Sequence, residues 1–101
     1  MNVVWTKRGT RRLIESFRYI AQNLYLEYAV AFRVDVLKTA NLLSANPDLG
    51  EEAFTELNRP ELRKLLCSSR QHYVYYRRCK YRCEILSVRH TLMDIRGPRH
   101  L

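Results

Sequence analysis

Apolar residues follow two helical periods along the chain and then a series of extended runs. Val3-Val4-Trp5-Thr6 is a short β-prone opening, interrupted by Lys7-Arg8-Gly9. From Thr10, whose hydroxyl is placed to cap a helix, Leu13, Phe17, Ile20 and Leu24 recur every three or four residues. Ile14 and Ala21 widen this stripe, and Arg11, Arg12, Glu15 and Arg18 take the other side. Gln22-Asn23 interrupts the pattern. Ala29, Phe32, Val36, Ala40 and Leu43 then restart it on one face, flanked by Val30, Leu37 and Leu42. Asn46-Pro47-Asp48-Leu49-Gly50 ends the second helix, because proline cannot continue the hydrogen-bond ladder and glycine tolerates the turn that follows.

After that turn the period changes. Residues 51–60 lack a clean repeat and read as a surface loop. Leu62-Arg63-Lys64-Leu65-Leu66-Cys67 is short enough for a strand, and Ser68-Ser69 breaks it. His72-Tyr73-Val74-Tyr75-Tyr76-Arg77 and Cys83-Glu84-Ile85-Leu86-Ser87-Val88-Arg89-His90, joined by a few polar residues, read as an antiparallel hairpin. Gly97-Pro98 leaves a basic tail without a structural signal. The order strand, helix, helix, three strands predicts an α+β fold, with an antiparallel sheet of about four strands packed on the helical hairpin. The opposite face of the sheet is expected to carry Tyr, Arg and His.

Composition narrows the function. With 47% hydrophobic and 28% charged residues over 101 positions, the chain suits one globular domain spanning residues 1–101. Lys and Arg outnumber Asp and Glu by 18 to 10, a formal charge of +8 that calls for an anionic partner such as nucleic acid or an acidic protein segment. Between Leu62 and Cys83 there are seven Lys/Arg and no acid, so the charge concentrates on the hairpin. No apolar run has the length of a membrane span or of a signal-peptide core, which leads to an expected cytoplasmic location without membrane contact. Cys67, Cys79 and Cys83 are odd in number and read as free thiols. Three thiols and a histidine can in principle hold zinc, but the paired CxxC knuckles are missing, so no metal and no cofactor are expected.

Several of these pieces, in this order, resemble the RelE/ParE superfamily of type II toxins. They are the Val-x-Trp-Thr opening, Tyr19-Ile20-Ala21, Asn46-Pro47-Asp48-Leu49-Gly50, Leu62-Arg63-Lys64-Leu65, the Tyr-x-Tyr-Tyr-Arg strand, and Glu84-Ile85-Leu86-Ser87-Val88-x-His90. The resemblance implies a toxin held in a hetero-oligomer by a cognate antitoxin. It also implies one of two activities: poisoning of DNA gyrase, as in the ParE branch, or ribosome-dependent mRNA cleavage, as in the RelE branch. Fold alone does not choose between them.

RNA cleavage by an adjacent 2′-hydroxyl needs a proton acceptor, a proton donor and fixed cations around the phosphorane. His90, Arg70 and Arg63 are the catalytic candidates if the chain is a nuclease. The resemblance puts Tyr73 where such nucleases commonly carry arginine, and Thr91 rather than arginine after His90. The ParE-like ending is also incomplete, with Met93 where an arginine is usual before Asp94. The gyrase-directed reading is the stronger. Lys64, Tyr73, Tyr75, Arg77, Arg78, Lys80 and Arg82 are the candidates for nucleic-acid or antitoxin binding, because aromatic rings stack bases while cations neutralise phosphates or acidic side chains. For His90, a strand-end histidine bonded to backbone is the alternative to a proton carrier.

Overall fold

A computed structural model describes residues 1–101. Strand β1 (Asn2–Trp5) leads into helices α1 (Lys7–Asn23) and α2 (Leu26–Leu42). Then come β2 (Glu51–Glu52), β3 (Leu62–Leu66), β4 (His72–Arg78) and β5 (Arg82–His90). The sheet order is β1-β5-β4-β3-β2. β1 runs parallel to β5 and every other neighbouring pair is antiparallel. The fold is thus α+β as expected, but the sheet is mixed and has five strands rather than four. The extra strand falls within residues 51–60, read from sequence as loop. Two adjacent glutamates carry no strand signal; Glu51 lies opposite Lys64, whose ammonium is 4.0 Å away, and Glu52 lies opposite Arg63.

Helix α1 begins three residues before Thr10. The Thr6 hydroxyl accepts the Gly9 N–H at 3.0 Å, and both its own O–H and the Thr6 N–H donate to the Ile85 carbonyl, at 2.7 and 3.2 Å. One residue therefore caps the helix and ties its start to the edge of β5. Gly9 allows that approach: a Cβ there would fall well inside van der Waals contact with the Ile85 carbonyl oxygen. The break expected at Gln22-Asn23 lies at Leu24 and Tyr25, where Tyr25 takes extended backbone and α2 starts.

The stripe read from α2 is the core. Ala29, Phe32, Val36, Ala40 and Leu43 are all buried, against Val74, Tyr76, Cys83, Ile85 and Val88 of the sheet. A register shift in the β4–β5 pairing sets which residues face the helices. Ser87 lies opposite Tyr75 and Ile85 opposite Tyr76, so Leu86 has no partner of its own. This bulge keeps Cys83, Ile85 and Val88 all on the helical side.

The outer face of the sheet differs from the expected open surface of Tyr, Arg and His. His72 packs on Phe32 of α2, with ring centroids 4.6 Å apart, and Tyr76 lies in the main core. On the outer side a second core joins Tyr75 and Leu62 to Phe54 and Leu101. The basic tail is thus anchored there: Pro98–His100 forms a 3-10 turn, and Arg12 Nε donates to the Leu101 carbonyl oxygen at 3.1 Å. A lone leucine at the end of a basic segment carries no periodic signal, which is why the sequence left this contact unread.

Candidate functional site

The ends of β4 and β5 that carry His72 and His90 open onto a groove of about 1360 Å³. Helices α1 and α2 form its other wall with Tyr19, Ile20, Leu24, Tyr28 and Phe32, and the β3–β4 turn supplies its floor. Tyr19, Leu24 and Tyr28 are 65%, 58% and 58% exposed, far above what a core stripe shows. Tyr28 belongs to an α2 that is apolar on both sides: the stripe of Phe32 and Val36 faces the sheet, and Leu26, Val30 and Val34 are exposed. The sequence pattern put Leu24 in the α1 stripe and Val30 and Leu42 beside that of α2, but all three are exposed, because the helical hairpin presents an apolar side to solvent as well as one to the sheet.

Asp35 of α2 builds the floor. Its carboxylate accepts from Ser68 N at 3.2 Å, Ser68 Oγ at 2.6 Å and Ser69 N at 3.2 Å, closing the turn in which Arg70 adopts a φ of 64°. Burial alone would raise the Asp35 pKa, but the serine hydrogen bonds together outweigh it and lower the value from 3.8. Beside it, burial and the nearby His90 push His72 down to about 4, so His72 is a neutral, packed ring at neutral pH. The two histidine rings lie edge to face at 5.1 Å, and His90 Nδ1 accepts the Leu92 N–H at 3.1 Å.

Arg63 lies apart from the other two nuclease candidates, whereas the Arg70 and His90 backbones are close, Thr91 N donating to Gln71 O at 2.9 Å. His90 lines the groove, whereas Arg70 lies outside its lining, and the Arg70 guanidinium makes no hydrogen bond or ion pair. Arg63 pairs in register with Tyr76, four residues along β4 from His72, the register partner of His90. At about 3.3 Å per residue that is roughly 13 Å along the strand, before the lateral separation is added. Arg63 is also occupied. Its guanidinium holds the Gly50 carbonyl through two nitrogens and reaches the carbonyls of Pro60 and Asp48 at 3.4 Å. Tyr76 completes this corner, its hydroxyl donating to Pro47 O at 2.8 Å and accepting Gly50 N–H at 3.1 Å.

The cationic aromatic set is split between three places. Lys64, Tyr73, Tyr75 and Arg77 lie on the outer face, where Lys64 Nζ sits 4.5 Å from the Tyr73 ring centroid and 4.0 Å from Glu51. Arg77 and Arg82 share Glu84, at 3.4 and 2.9 Å. Lys80 lies at the β4–β5 turn, its ammonium 5.3 Å from the Tyr81 ring centroid. Arg78 bonds Asp48 at 3.0 Å, together with the carbonyls of Cys79 and Lys80. The acids missing from the sequence window between Leu62 and Cys83 are supplied by residues 48, 51 and 84. All three thiols are free, and no cluster of His, Cys, Asp or Glu could hold a metal ion. No helix is long and apolar enough to cross a membrane.

No family model matches the chain, and no curated protein matches it in sequence. Among solved structures, a chain of the "Chromosomal ParDE TA system from P. aeruginosa" matches with a TM-score of 0.73 and 17% identity, over 89% of this chain and 95% of that one. The likeness spans most of both chains, and this chain shares the fold of that ParDE component.

Proposed function

We propose that this chain is the toxin of a toxin–antitoxin system, that it arrests growth by binding an essential target, DNA gyrase, and that a cognate antitoxin neutralises it by covering the groove and the cationic aromatic face. The observation that carries the reading is the open apolar groove on a fold shared with a ParDE component. A monomer that leaves Tyr19, Leu24 and Tyr28 in water presents the kind of patch that marks a protein partner. Binding in place of RNA cleavage is supported by Arg63, which is held against backbone carbonyls at the far end of the strands from His90. On this reading Lys64, Tyr73, Tyr75, Arg77, Arg78, Lys80 and Arg82 serve macromolecular contact, not chemistry.

Induced expression in a bacterial host tests the proposal. The expected result is growth arrest with accumulated gyrase-cleaved DNA, relieved by co-expression of the antitoxin, and unchanged in a His90→Ala variant that folds. Rapid loss of translated mRNA that His90→Ala abolishes would replace it with the RNA-cleaving alternative. Unaffected growth would remove both.

A further inference from the structure

Helix α1 is built against its own electrostatics. Its first two residues are Lys7 and Arg8, Arg11 and Arg12 follow one turn later, and no acid stands in the first turn. Cations at that end oppose the partial positive charge of the unbonded N–H groups, and Lys7–Arg11 and Arg8–Arg12 are like-charged neighbours four residues apart. Glu15, the one acid of α1, bonds Arg12 at 3.3 Å. Lys7, Arg8, Arg11 and Arg18 are exposed and take part in no ion pair. Lys7, Arg11, Ile14 and Arg18 share one line, because steps of four, three and four residues return to the same side of a helix. The line lies on the far side of α1 from Leu13, Phe17 and Ile20, which pack on the core, and it edges a shallow trough of about 590 Å³ beside Trp5. At 1.5 Å per residue, Lys7 to Arg18 is a run of about 16 Å.

We propose that this row is a second binding surface, one that follows the phosphate backbone of duplex DNA without reading its sequence. Each strand of a duplex carries a phosphate about every 3.4 Å of axis, so roughly 16 Å of backbone offers about five negative charges to the four cations on and beside the line. The same anion would relieve the crowding of charge at the start of the helix. An acidic protein segment fits less well, since Ile14 is the one large apolar side chain on the line. Single-stranded nucleic acid needs rings on which unpaired bases stack, and Trp5, the ring in the trough, packs on the core instead. The choice of DNA over duplex RNA rests on the gyrase reading, because a toxin bound to gyrase stands beside DNA.

Fluorescence anisotropy of the full chain with a labelled DNA duplex of about 20 base pairs tests the row. Four phosphate contacts predict an affinity that falls roughly 150-fold between 50 and 200 mM salt, and Arg11→Gln with Arg18→Gln, which leaves two contacts, should reduce that to about 12-fold. Arg33→Gln with Lys38→Gln removes the same charge from α2, where both side chains are exposed, and should leave the salt dependence unchanged. The row variant should also unfold at the same or a higher urea concentration, because it relieves like-charge neighbours, whereas a structural role for these cations would lower the midpoint. Equal losses in the two variants overturn the proposal, as does tighter binding to a duplex RNA of the same sequence or to polyglutamate. The assay contains no gyrase, so the two readings fail separately. DNA binding by a chain that arrests no growth keeps the row and removes the toxin, and growth arrest with gyrase-cleaved DNA from a chain that does not bind the duplex does the reverse.

Discussion

Tyr75 and Tyr76 are adjacent and both buried, at 5% and 0% exposure, yet replacing each by phenylalanine should give very different results. The Tyr76 hydroxyl donates to Pro47 O and accepts from Gly50 N, whereas the Tyr75 hydroxyl makes no hydrogen bond. Tyr76→Phe leaves a buried N–H and a carbonyl without partners, at about 1–3 kcal/mol for each group so stranded, with part returned because a phenyl ring is easier to bury. A net loss of about 2–3 kcal/mol is expected for Tyr76→Phe and less than about 0.5 kcal/mol for Tyr75→Phe. With a urea slope of about 1.5 kcal/mol/M for a chain of this size, the first change lowers the unfolding midpoint by about 1.3–2 M and the second by less than about 0.3 M. Urea titration followed by circular dichroism measures both midpoints. Equal shifts, or a larger one for Tyr75→Phe, would refute the assignment of Tyr76 as the tie between β4 and the turn after α2.

Gly9→Ala should destabilise by about 1–2 kcal/mol in thermal unfolding, although alanine gains about 1 kcal/mol in a free helix, because its Cβ meets the Ile85 carbonyl. A raised melting temperature would show that α1 can slide away from β5. His72 has a folded pKa of about 4 against the ordinary 6.5 of a histidine in water, so the unfolded chain binds more protons between those values. The His72 contribution to stability is therefore complete above about pH 6.5 and lost as pH falls towards 4. His72→Leu should flatten this part of the stability–pH curve, and an unchanged slope in pH-dependent urea titrations would count against a buried neutral ring. Arg63→Met should cost about 1–3 kcal/mol by releasing the carbonyls of Gly50 and Pro60. If growth arrest in Arg63→Met disappears while the unfolding midpoint stays put, Arg63 acts at a site and not as a brace.

The helices were legible because their stripes recur at a strict period: Ala29, Phe32, Val36, Ala40 and Leu43 all reach the core, and Leu13, Phe17 and Ile20 pack half-buried against it, whereas Leu24, read into the same stripe, is exposed. The β4–β5 hairpin was legible for the same kind of reason: Val74 and Tyr76 alternate with Tyr73 and Tyr75. Glu51–Glu52 escaped because two adjacent acids carry no strand propensity and their pairing is set by a strand ten residues further on, and the α1 start because Thr6 was read as the end of β1. The site was harder. Charges that look free along the chain, at Arg63, Arg77, Arg78 and Arg82, are engaged by carbonyls and acids distant in sequence. The groove at the ends of β4 and β5 was not legible either, because it is formed by residues of both helices, the β3–β4 turn and β5 that are far apart in the chain.

Leu86, the residue without an opposite number in β4, acts as a phase shifter. Strand side chains alternate with a period of two, so deleting this one residue would invert everything downstream of it in β5. Val88 and His90 would turn away from the helices and Arg89 would swing into the interior, trading an apolar wall for a buried cation. Most substitutions at position 86 would change only local packing, whereas its loss would rewrite the whole upper end of the strand. Evolution can thus adjust what this molecule touches there by changing letters, but not by changing their number.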